Sequence, residues 1–426
     1  MNCHNLQKEL KQMNPTKEAA LLMSSLSIFE GIRNRSVPKA YYELLCAVNQ
    51  PVFEFTKAWG KFFSLLCERG YADNFSGCLT ETALFDENPF SRAAAAGTEK
   101  NLPTQVISAI RRDLSVIRRV SLLSPETILN DYTYRDELGT VVGNLPRWAV
   151  GEPVKEFLHE DEIIDTLADF YRRNGCGMFA RYHAFIWRDK NIEPVIHPDS
   201  VTLSSLKSYH VQRQLVLDNT LAFLHGVQSN NCLLYGDRGT GKSSTVKAIL
   251  NEYYPQGLRM VEMPKDRLCD FPLLVDKIAE VPHKFIIFID DLSFSSDDKS
   301  YAQLKAVLEG GLAVRPENAL IYATSNRRHI IKESFSEREG DDLHRNDTIQ
   351  ETLSLSDRFG LSVCYSKPDK DQYLEIVMAL AKEKKLNIGI DELTMGAENY
   401  AISRGGRSPR CARQYIASVE SQFELQ

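Results

Sequence analysis

The sequence lacks several features that would assign it to a particular class of protein. Its 426 residues contain no run of about 20 apolar residues, the length that a membrane-spanning helix needs. The segment Met1–Asn5 has no apolar signal core, and we therefore expect a cytoplasmic protein with no membrane partner. The net charge is −6 and no stretch is strongly basic, which gives no electrostatic support for strong, sequence-independent nucleic-acid binding.

Paired metal ligands are also missing from the sequence. The nine cysteines include no C-x-x-C pair, and the nine histidines include no H-x-x-x-H spacing. Scattered cysteines of this kind are typical of reduced, mostly buried thiols in a cytosolic protein. We assign no metal ligand to cysteine or histidine.

The chain is too long for one ordinary hydrophobic core, and its pattern changes along its length. Residues 1–190 carry apolar residues at three- and four-residue spacings, which predict a mainly α-helical amino-terminal domain of unassigned role. Pro194, Pro198 and Asp199 predict an extended linker after it. The predicted helices are Gln7–Met13, Thr16–Ile32, Phe53–Arg69, Pro103–Val120 and Glu156–Arg173.

Residues 191–366 alternate apolar runs with helical stretches, and residues 367–426 are again helical. Continuous apolar runs indicate parallel strands covered on both faces, so we predict an α/β core followed by a helical lid. The predicted strands are Asn231–Tyr235, Leu258–Glu262, Phe285–Ile289, Ala319–Ala323 and Leu361–Tyr365. The predicted lid helices are Asp369–Lys384, Asp391–Arg404 and Ser408–Gln422.

The most informative segment is Gly236–Ser243, which fits the phosphate-loop pattern G-x-x-x-x-G-K-[ST]. It lies between an apolar run, Cys232–Tyr235, and a helix-compatible run, Ser244–Leu250. Main-chain N–H groups of such a loop converge on phosphate oxygens, and the helix that follows adds a positive dipole. We expect Lys242 to reach the outer phosphates and Ser243 to ligate Mg²⁺. A glycine-rich turn is the other interpretation. The expected nucleotide-binding residues are Gly236, Asp237, Arg238, Gly239, Thr240, Gly241, Lys242, Ser243 and Ser244.

Polar residues follow two of the later predicted strands. Asp290 and Asp291 come directly after Phe285–Ile289. We assign Asp290 to Mg²⁺ through water and Asp291 to orienting and deprotonating the attacking water. A helix N-cap or a solvated acidic turn is the alternative. Asn326 ends the next strand, where its amide can hold the attacking water or the γ-phosphate.

Two arginines complete the set of candidate catalytic residues. An arginine supplied by a neighbouring subunit can stabilise charge on a transferred phosphoryl group, and we assign this role to Arg358. We expect Arg410, on the lid, to sense the same phosphate. A surface charge is the alternative for both, and it is the favoured interpretation for Arg404, Arg407 and Arg413.

In this order the motifs resemble those of AAA+ ATPases, from about residue 195 to residue 422. A narrower resemblance is to a bacterial family of AAA+-like ATP-binding proteins of unknown function, DUF815. It is carried by Leu234–Ser244, Asp290–Phe294, Leu308–Leu312 and Tyr322–His329. The resemblance implies an α/β P-loop NTPase fold with a carboxyl-terminal helical lid, ATP and Mg²⁺ as ligands, and a homo-oligomer in the form of a ring or partial ring.

Within that resemblance each motif has a counterpart. Gly236–Ser243 is the Walker A loop, and Phe285–Asp291 is the Walker B strand. Asn326 is sensor 1, Ser356–Gly360 holds the arginine finger, and Arg410 is sensor 2. Asp291 stands where many of these ATPases have Glu, and because Asp is one methylene shorter, water activation is expected to be weaker or to require closure.

Two further segments have two interpretations each. Leu203–Gln212 resembles the stretch that cups adenine in AAA+ proteins, which makes Leu206 and Tyr209 candidates for the base pocket. Ordinary core packing explains these two side chains equally well. The charged stretch Lys332–Glu351 is either a solvated loop or a loop that faces a neighbouring subunit or a substrate.

The sequence therefore predicts an ATPase that couples Mg²⁺-dependent ATP hydrolysis to conformational change in an oligomer. It assigns no protein or nucleic-acid target. A slow nucleotide-dependent switch, loader or scaffold with little turnover is the alternative. A small-molecule phosphotransferase is a third possibility, which the arginine-finger and sensor 2 elements disfavour.

Overall fold

The computed structural model describes residues 14–135, 139–295, 304–305, 307–308, 316–326, 331–332 and 358–424. The predicted helix Gln7–Met13 and nearly all of the charged stretch Lys332–Glu351 lie outside these residues. The chain divides into two compact units, Met1–Arg181 and Tyr182–Gln426. Among the described helices, none combines the length and the apolar character that crossing a bilayer requires.

The first unit is helical, which confirms the predicted α-helical amino-terminal region. Its α-helices are α1 (Pro15–Ser24), α2 (Ser36–Cys46), α3 (Val52–Glu68), α4 (Phe75–Leu84), α5 (Pro89–Ala95), α6 (Thr104–Ser121), α7 (Pro125–Asp131), α8 (Gly139–Gly143), α9 (Ile163–Asn174) and α10 (Gly177–Arg181). Aromatic rings fill the centre of this unit, where the Tyr41 and Phe75 ring centroids are 4.4 Å apart and those of Phe62 and Trp148 are 4.8 Å apart.

Two of the helices predicted in this unit are shorter than expected. The predicted helix Thr16–Ile32 ends at Ser24, because the carboxylate of Asp113 accepts the main-chain N–H groups of Ile28 and Phe29. Asp113 is fully buried on α6, and these bonds hold the chain in a turn where a helix would otherwise continue. The other, Glu156–Arg173, begins only at Ile163.

A seven-stranded sheet forms the centre of the second unit. Its strands are β1 (Ala184–Arg188), β2 (Asn191–Pro194), β3 (Cys232–Gly236), β4 (Leu258–Glu262), β5 (Lys284–Ile289), β7 (Ala319–Ser325) and β9 (Leu361–Tyr365); β6 (Phe294–Ser295) and β8 (Ile331–Lys332) form a separate pair. The order across the sheet is β2-β1-β4-β5-β7-β3-β9. All neighbours are parallel except the β1–β2 pair.

The β1–β2 hairpin includes Pro194, the first of the three residues that predicted an extended linker, whereas Pro198 and Asp199 lie outside any helix or strand. Trp187 and Ile192 are buried and face each other across this antiparallel pair. β1 also pairs in parallel with β4, so these residues extend the sheet of the second unit. The predicted boundary between residues 190 and 191 falls inside the hairpin, whereas the two compact units divide after Arg181.

Helices cover the sheet and complete the second unit. The helices α11 (His210–Leu224), α12 (Lys242–Tyr253) and α13 (Phe271–Ile278) lie between strands along the chain, and α14 (Lys370–Glu383), α15 (Ile390–Ser403) and α16 (Pro409–Glu424) follow the last strand. The α14–α16 group, called the lid below, packs around its own apolar cluster, which includes Tyr373, Ala397 and Ile416. These features confirm the predicted parallel α/β fold with a carboxyl-terminal helical lid.

Candidate functional site

The strand order brings the carboxyl ends of β3, β5 and β7 together, and the predicted polar motifs follow these three strands. The phosphate loop leaves β3 at Gly236, whose φ of +127° is open to glycine but rarely to other residues. A side chain there would also collide with the carbonyl oxygen of Tyr365. The loop ends at Gly241, the N-cap of α12, so the positive end of that helix faces the loop.

Lys242 lies buried under the loop with its ammonium group held by main-chain oxygens. Its Nζ donates to the carbonyl oxygens of Gly236 at 3.0 Å and Asp237 at 2.7 Å, and to Asn326 Oδ1 at 3.4 Å. Burial lowers the pKa of Lys242, and three nearby aspartates oppose that shift. A phosphate that bound here would replace weak carbonyl acceptors with a stronger, charged one.

Ser243 and Asp290 supply oxygen ligands of the kind that Mg²⁺ prefers. Ser243 Oγ donates to Asp290 Oδ1 at 2.6 Å, and Thr324 Oγ1 donates to the same carboxylate oxygen. Within the described residues, no group of three or more His, Cys, Asp or Glu side chains could hold a metal ion. A magnesium ion bound by Ser243 and Asp290 would therefore take its remaining ligands from phosphate and water, which fits a phosphate-binding cavity.

Asp291 and Asn326 contact each other beside this pair. The Asn326 amide Nδ2 donates to Asp291 Oδ1. Asp291 has a φ of +52°, in the left-handed region that non-glycine residues rarely occupy. Its main-chain N–H donates to Thr324 Oγ1 at 3.0 Å. This hydrogen bond to Thr324 stabilises the turn, and the turn orients the Asp291 carboxylate towards the end of β7.

A polar cavity of about 410 Å³ opens between these residues. Arg410 lines it from the lid, and the main-chain N–H of Arg410 donates to Gly239 O at 3.2 Å. The lid therefore contacts the phosphate loop directly. The lining residues are Arg238, Gly239, Gly241, Lys242, Ser243, Ser244, Asp290, Asp291, Thr324, Asn326, Arg410 and Arg413; Gly236, Asp237 and Thr240 belong to the same loop but not to this lining.

A second, much smaller cavity of about 20 Å³ lies between the core and the lid. Leu206 and Tyr209, the two predicted base-pocket residues, line it. Tyr209 donates its hydroxyl to Ser366 O at 2.6 Å, and its ring lies 5.1 Å from that of Tyr365 between centroids. The lid closes this cavity with Ile376, Leu380, Pro409 and Arg413.

Arg358 is the one predicted catalytic residue that lies away from the site. It precedes β9, whose first residue, Leu361, pairs with Cys232 at the start of β3. The phosphate loop follows the opposite end of β3, about 13 Å further along the strand direction. Arg358 does not line either cavity, so the structure does not bring it to the phosphate loop of its own chain.

Several residues at the site were not predicted from the sequence. Thr324 lies two residues before Asn326, and its hydroxyl at the end of an apolar strand was the available signal. Arg213 lines the small cavity and is 8% exposed. Arg413, which the sequence favoured as a surface charge, lines both cavities. Arg213 and Arg413 lie on helices α11 and α16. The spacing of residues along a helix does not by itself indicate which of them contacts a ligand.

The model of the family described as "Protein of unknown function (DUF815)" matches residues 180–423. The chain belongs to this family. The match includes the phosphate loop, the carboxylates after β5 and the lid up to residue 423, and it confirms the resemblance inferred from the motifs. No curated protein matches the sequence significantly.

Solved structures that are similar to this DUF815 protein include RuvB and DnaA. A mutant RuvB from Thermotoga maritima is 15% identical, with a TM-score of 0.38, over 53% of this chain and 66% of that chain. AMPPCP-bound DnaA from Aquifex aeolicus is 18% identical, with a TM-score of 0.37, over 53% of this chain and 67% of that chain. The matched region thus spans about two thirds of these chains, and the fold assignment stands on the strand order and the position of the phosphate loop.

Proposed function

We propose that this DUF815 protein binds Mg–ATP between its α/β core and its lid and hydrolyses it, and that hydrolysis is coupled to conformational change in a homo-oligomer. One observation carries the proposal. Ser243 and Asp290 meet at 2.6 Å beside the buried Lys242, at the edge of a polar cavity of about 410 Å³. A phosphate loop, a cation ligand pair and a second carboxylate, Asp291, in one cavity are the parts that phosphoryl transfer to water needs.

The proposal assigns a role to each residue of the site. Lys242 and the loop N–H groups hold the β- and γ-phosphates, with Arg410 approaching from the lid. Ser243 and Asp290 would hold Mg²⁺, which would supply neutralisation of charge on the phosphate oxygens. Asp291 accepts a proton from the attacking water. The water oxygen forms a bond to the γ-phosphorus as the bond from that phosphorus to the leaving oxygen of ADP breaks.

The proposal includes a contribution from a neighbouring copy. The Arg358 of one subunit completes the site of the next, where its guanidinium stabilises charge that develops on the phosphoryl oxygens. The separation of Arg358 from the loop of its own chain supports this assignment. An assembly of this kind is heterologous, because the donating and receiving surfaces differ.

Mixing two inactive variants tests the shared site. Arg358→Ala removes the donated arginine, and Asp291→Asn removes the base of the receiving subunit. We expect each variant alone to lose ATP turnover by 100-fold or more, and an equal mixture to regain activity because about a quarter of the subunit interfaces are then intact. Turnover per subunit should rise with protein concentration in the wild type.

The matched control is Arg267→Ala, which removes an exposed arginine from the same unit and should leave turnover unchanged. A mixture that stays inactive, although both variants assemble, would show that Arg358 does not act between subunits. Wild-type turnover that is negligible at every concentration would exclude the hydrolysing motor.

A slow nucleotide switch is the second candidate function, and one observation favours it. Lys242 is bonded to carbonyl oxygens of its own loop, and Asp291 is bonded to Asn326. These three hydrogen bonds must break before chemistry, which slows turnover. Single-turnover and steady-state rates separate the candidates: tight ATP binding with equal, slow rates in both regimes supports the switch, whereas fast steady-state turnover supports the motor.

A further inference from the structure

Asp237, the second residue of the phosphate loop, connects the loop to the segment that leads into the lid. Its main-chain N–H donates to Tyr365 O at 2.9 Å, and its carboxylate Oδ2 accepts the main-chain N–H of Lys367 at 2.8 Å. Tyr365 is the last residue of β9, and α14 begins at Lys370. Asp237 therefore holds both the end of the sheet and the start of the core–lid connection.

The same residue also holds the lysine that would contact phosphate. The Asp237 carbonyl oxygen accepts Lys242 Nζ at 2.7 Å and Thr240 Oγ1 at 2.8 Å. A continuous chain of hydrogen bonds thus runs from the Lys242 ammonium, through one residue, to the Lys367 amide.

Aspartate at position 237 is not explained by phosphate binding. The phosphate-loop pattern allows any residue here, and a carboxylate next to a phosphate site repels the anion that the loop binds. Lys367 is followed by Pro368, which has no N–H, and then by Asp369, which caps α14. The Lys367 amide is thus the last main-chain donor before the lid's capping residue, and Asp237 supplies its acceptor.

We propose that Asp237 is a positioning residue that couples occupancy of the phosphate loop to the lid. The proposal rests on the proposed function in one respect, namely that phosphate binds the loop. A bound phosphate draws Lys242 Nζ away from the Asp237 carbonyl. Because the Asp237 carboxylate holds Lys367, the resulting movement of Asp237 is passed to Pro368 and the first turn of α14.

Hydrogen exchange measured by mass spectrometry tests the coupling without any need for turnover. A fragment covering residues 364–369 retains label at Ser366, Lys367 and Asp369 only, because its first two residues lose label and Pro368 has no N–H. Without ligand, we expect Asp237→Ala to speed exchange in this fragment about fivefold, as the loss of one hydrogen bond predicts. Asp237→Asn keeps an acceptor oxygen and should restore the slow exchange.

Adding Mg–AMPPCP then tests the transmission. In the wild type and in Asp237→Asn, we expect slower exchange both in the loop, residues 236–244, and in α14. In Asp237→Ala, loop protection should remain while the α14 response is lost. Asp276→Ala, which removes an exposed carboxylate on α13, is the control and should behave as the wild type does.

The outcomes separate this coupling from the proposed function. If the wild-type loop gains no protection from Mg–AMPPCP, the proposed nucleotide binding fails, and the coupling fails with it. If the loop is protected and α14 responds equally in Asp237→Ala, nucleotide binding stands and the coupling through Asp237 is overturned. Loop protection that persists in Asp237→Ala excludes a general loss of folding in that variant, and an α14 response that Asp237→Asn restores assigns the loss to the missing acceptor oxygen.

Discussion

The two cavities form the two ends of a cleft between the α/β core and the lid, and these ends differ in size and in chemistry. The phosphate end is a polar cavity of about 410 Å³ built on a main-chain loop, whereas the base end is a cavity of about 20 Å³ lined mainly by side chains of the core and the lid. The smaller volume holds about one water molecule, and an adenine base needs more. The larger cavity therefore has room for phosphate in the structure as it stands, whereas we expect a base to require movement of the lid.

The residues that close the base end belong to the lid. Ile376 and Leu380 on α14 and Pro409 on α16 line the small cavity. Separating them from the core exposes apolar surface, at about 25 cal/mol for each Å². A bound base would offset this cost by covering the same surface, and we therefore expect the lid position and base binding to be linked.

Of the variants that distinguish the two ends, Lys242→Ala is expected to have the largest effect, a loss of ligand affinity at the phosphate end. The variant loses charge-assisted hydrogen bonds to phosphate worth about 1.5–3 kcal/mol each. We expect the Kd values for ATP and for inorganic tripolyphosphate both to rise about 100-fold, measured by isothermal titration calorimetry. Lys247→Ala, on the same helix, is the control; unchanged tripolyphosphate binding in Lys242→Ala would contradict the assignment of this end.

The phosphate end was predictable from the sequence because its geometry depends on the main chain. A loop that packs against the Tyr365 carbonyl requires glycine at position 236, and this requirement is visible as a motif. β4 and β9 have the bounds predicted from their apolar runs. The hairpin β1–β2 was missed because its strands are short and Pro194 is typical of a linker.

The base end was only partly predictable, because its walls come from side chains that also serve as ordinary core. Ile376 and Leu380 stand at helical spacing on α14, and such spacing indicates packing, whatever the partner is. Leu206 and Tyr209 were predicted only through the resemblance to AAA+ proteins. The bond between Asn326 and Asp291 was equally invisible, since it depends on the left-handed conformation of Asp291.

Leu380→Ala tests whether apolar contacts of the lid limit binding at the base end. The shorter side chain enlarges the small cavity and reduces the apolar contact that must break when the lid moves, by about 1 kcal/mol. We expect ATP to associate about fivefold faster in stopped-flow measurements, while tripolyphosphate associates at the wild-type rate. Leu273→Ala, which truncates an exposed leucine on α13, is the control. Equal acceleration for both ligands would mean that the lid limits access to the phosphate end as well.

The smallest predicted effect concerns the stability of the lid against acid. Arg407 donates two hydrogen bonds to the Glu398 carboxylate, at 2.9 and 2.7 Å, and these bonds lower the pKa of Glu398. A carboxyl whose pKa is lowered by folding stabilises the folded state above its unfolded pKa, near 4.3, and loses that contribution as pH falls through the lower folded value. The lid of the wild type should therefore lose stability below about pH 4.3.

Glu398→Gln removes this titration and tests whether the lid is the acid-sensitive side of the cleft. We expect its Tm to lie only about 1–2 °C below that of the wild type at pH 7, because the Arg407–Glu398 pair is partly exposed. This difference in Tm should shrink below pH 4, as Glu398 of the wild type becomes protonated. Hydrogen exchange at pH 4 should show faster exchange in α15 and α16 than in α12 for the wild type. A difference in Tm that stays constant from pH 7 to pH 3.5 would contradict an ionised Glu398, and uniform exchange in the three helices would mean that acid loosens both ends of the cleft together.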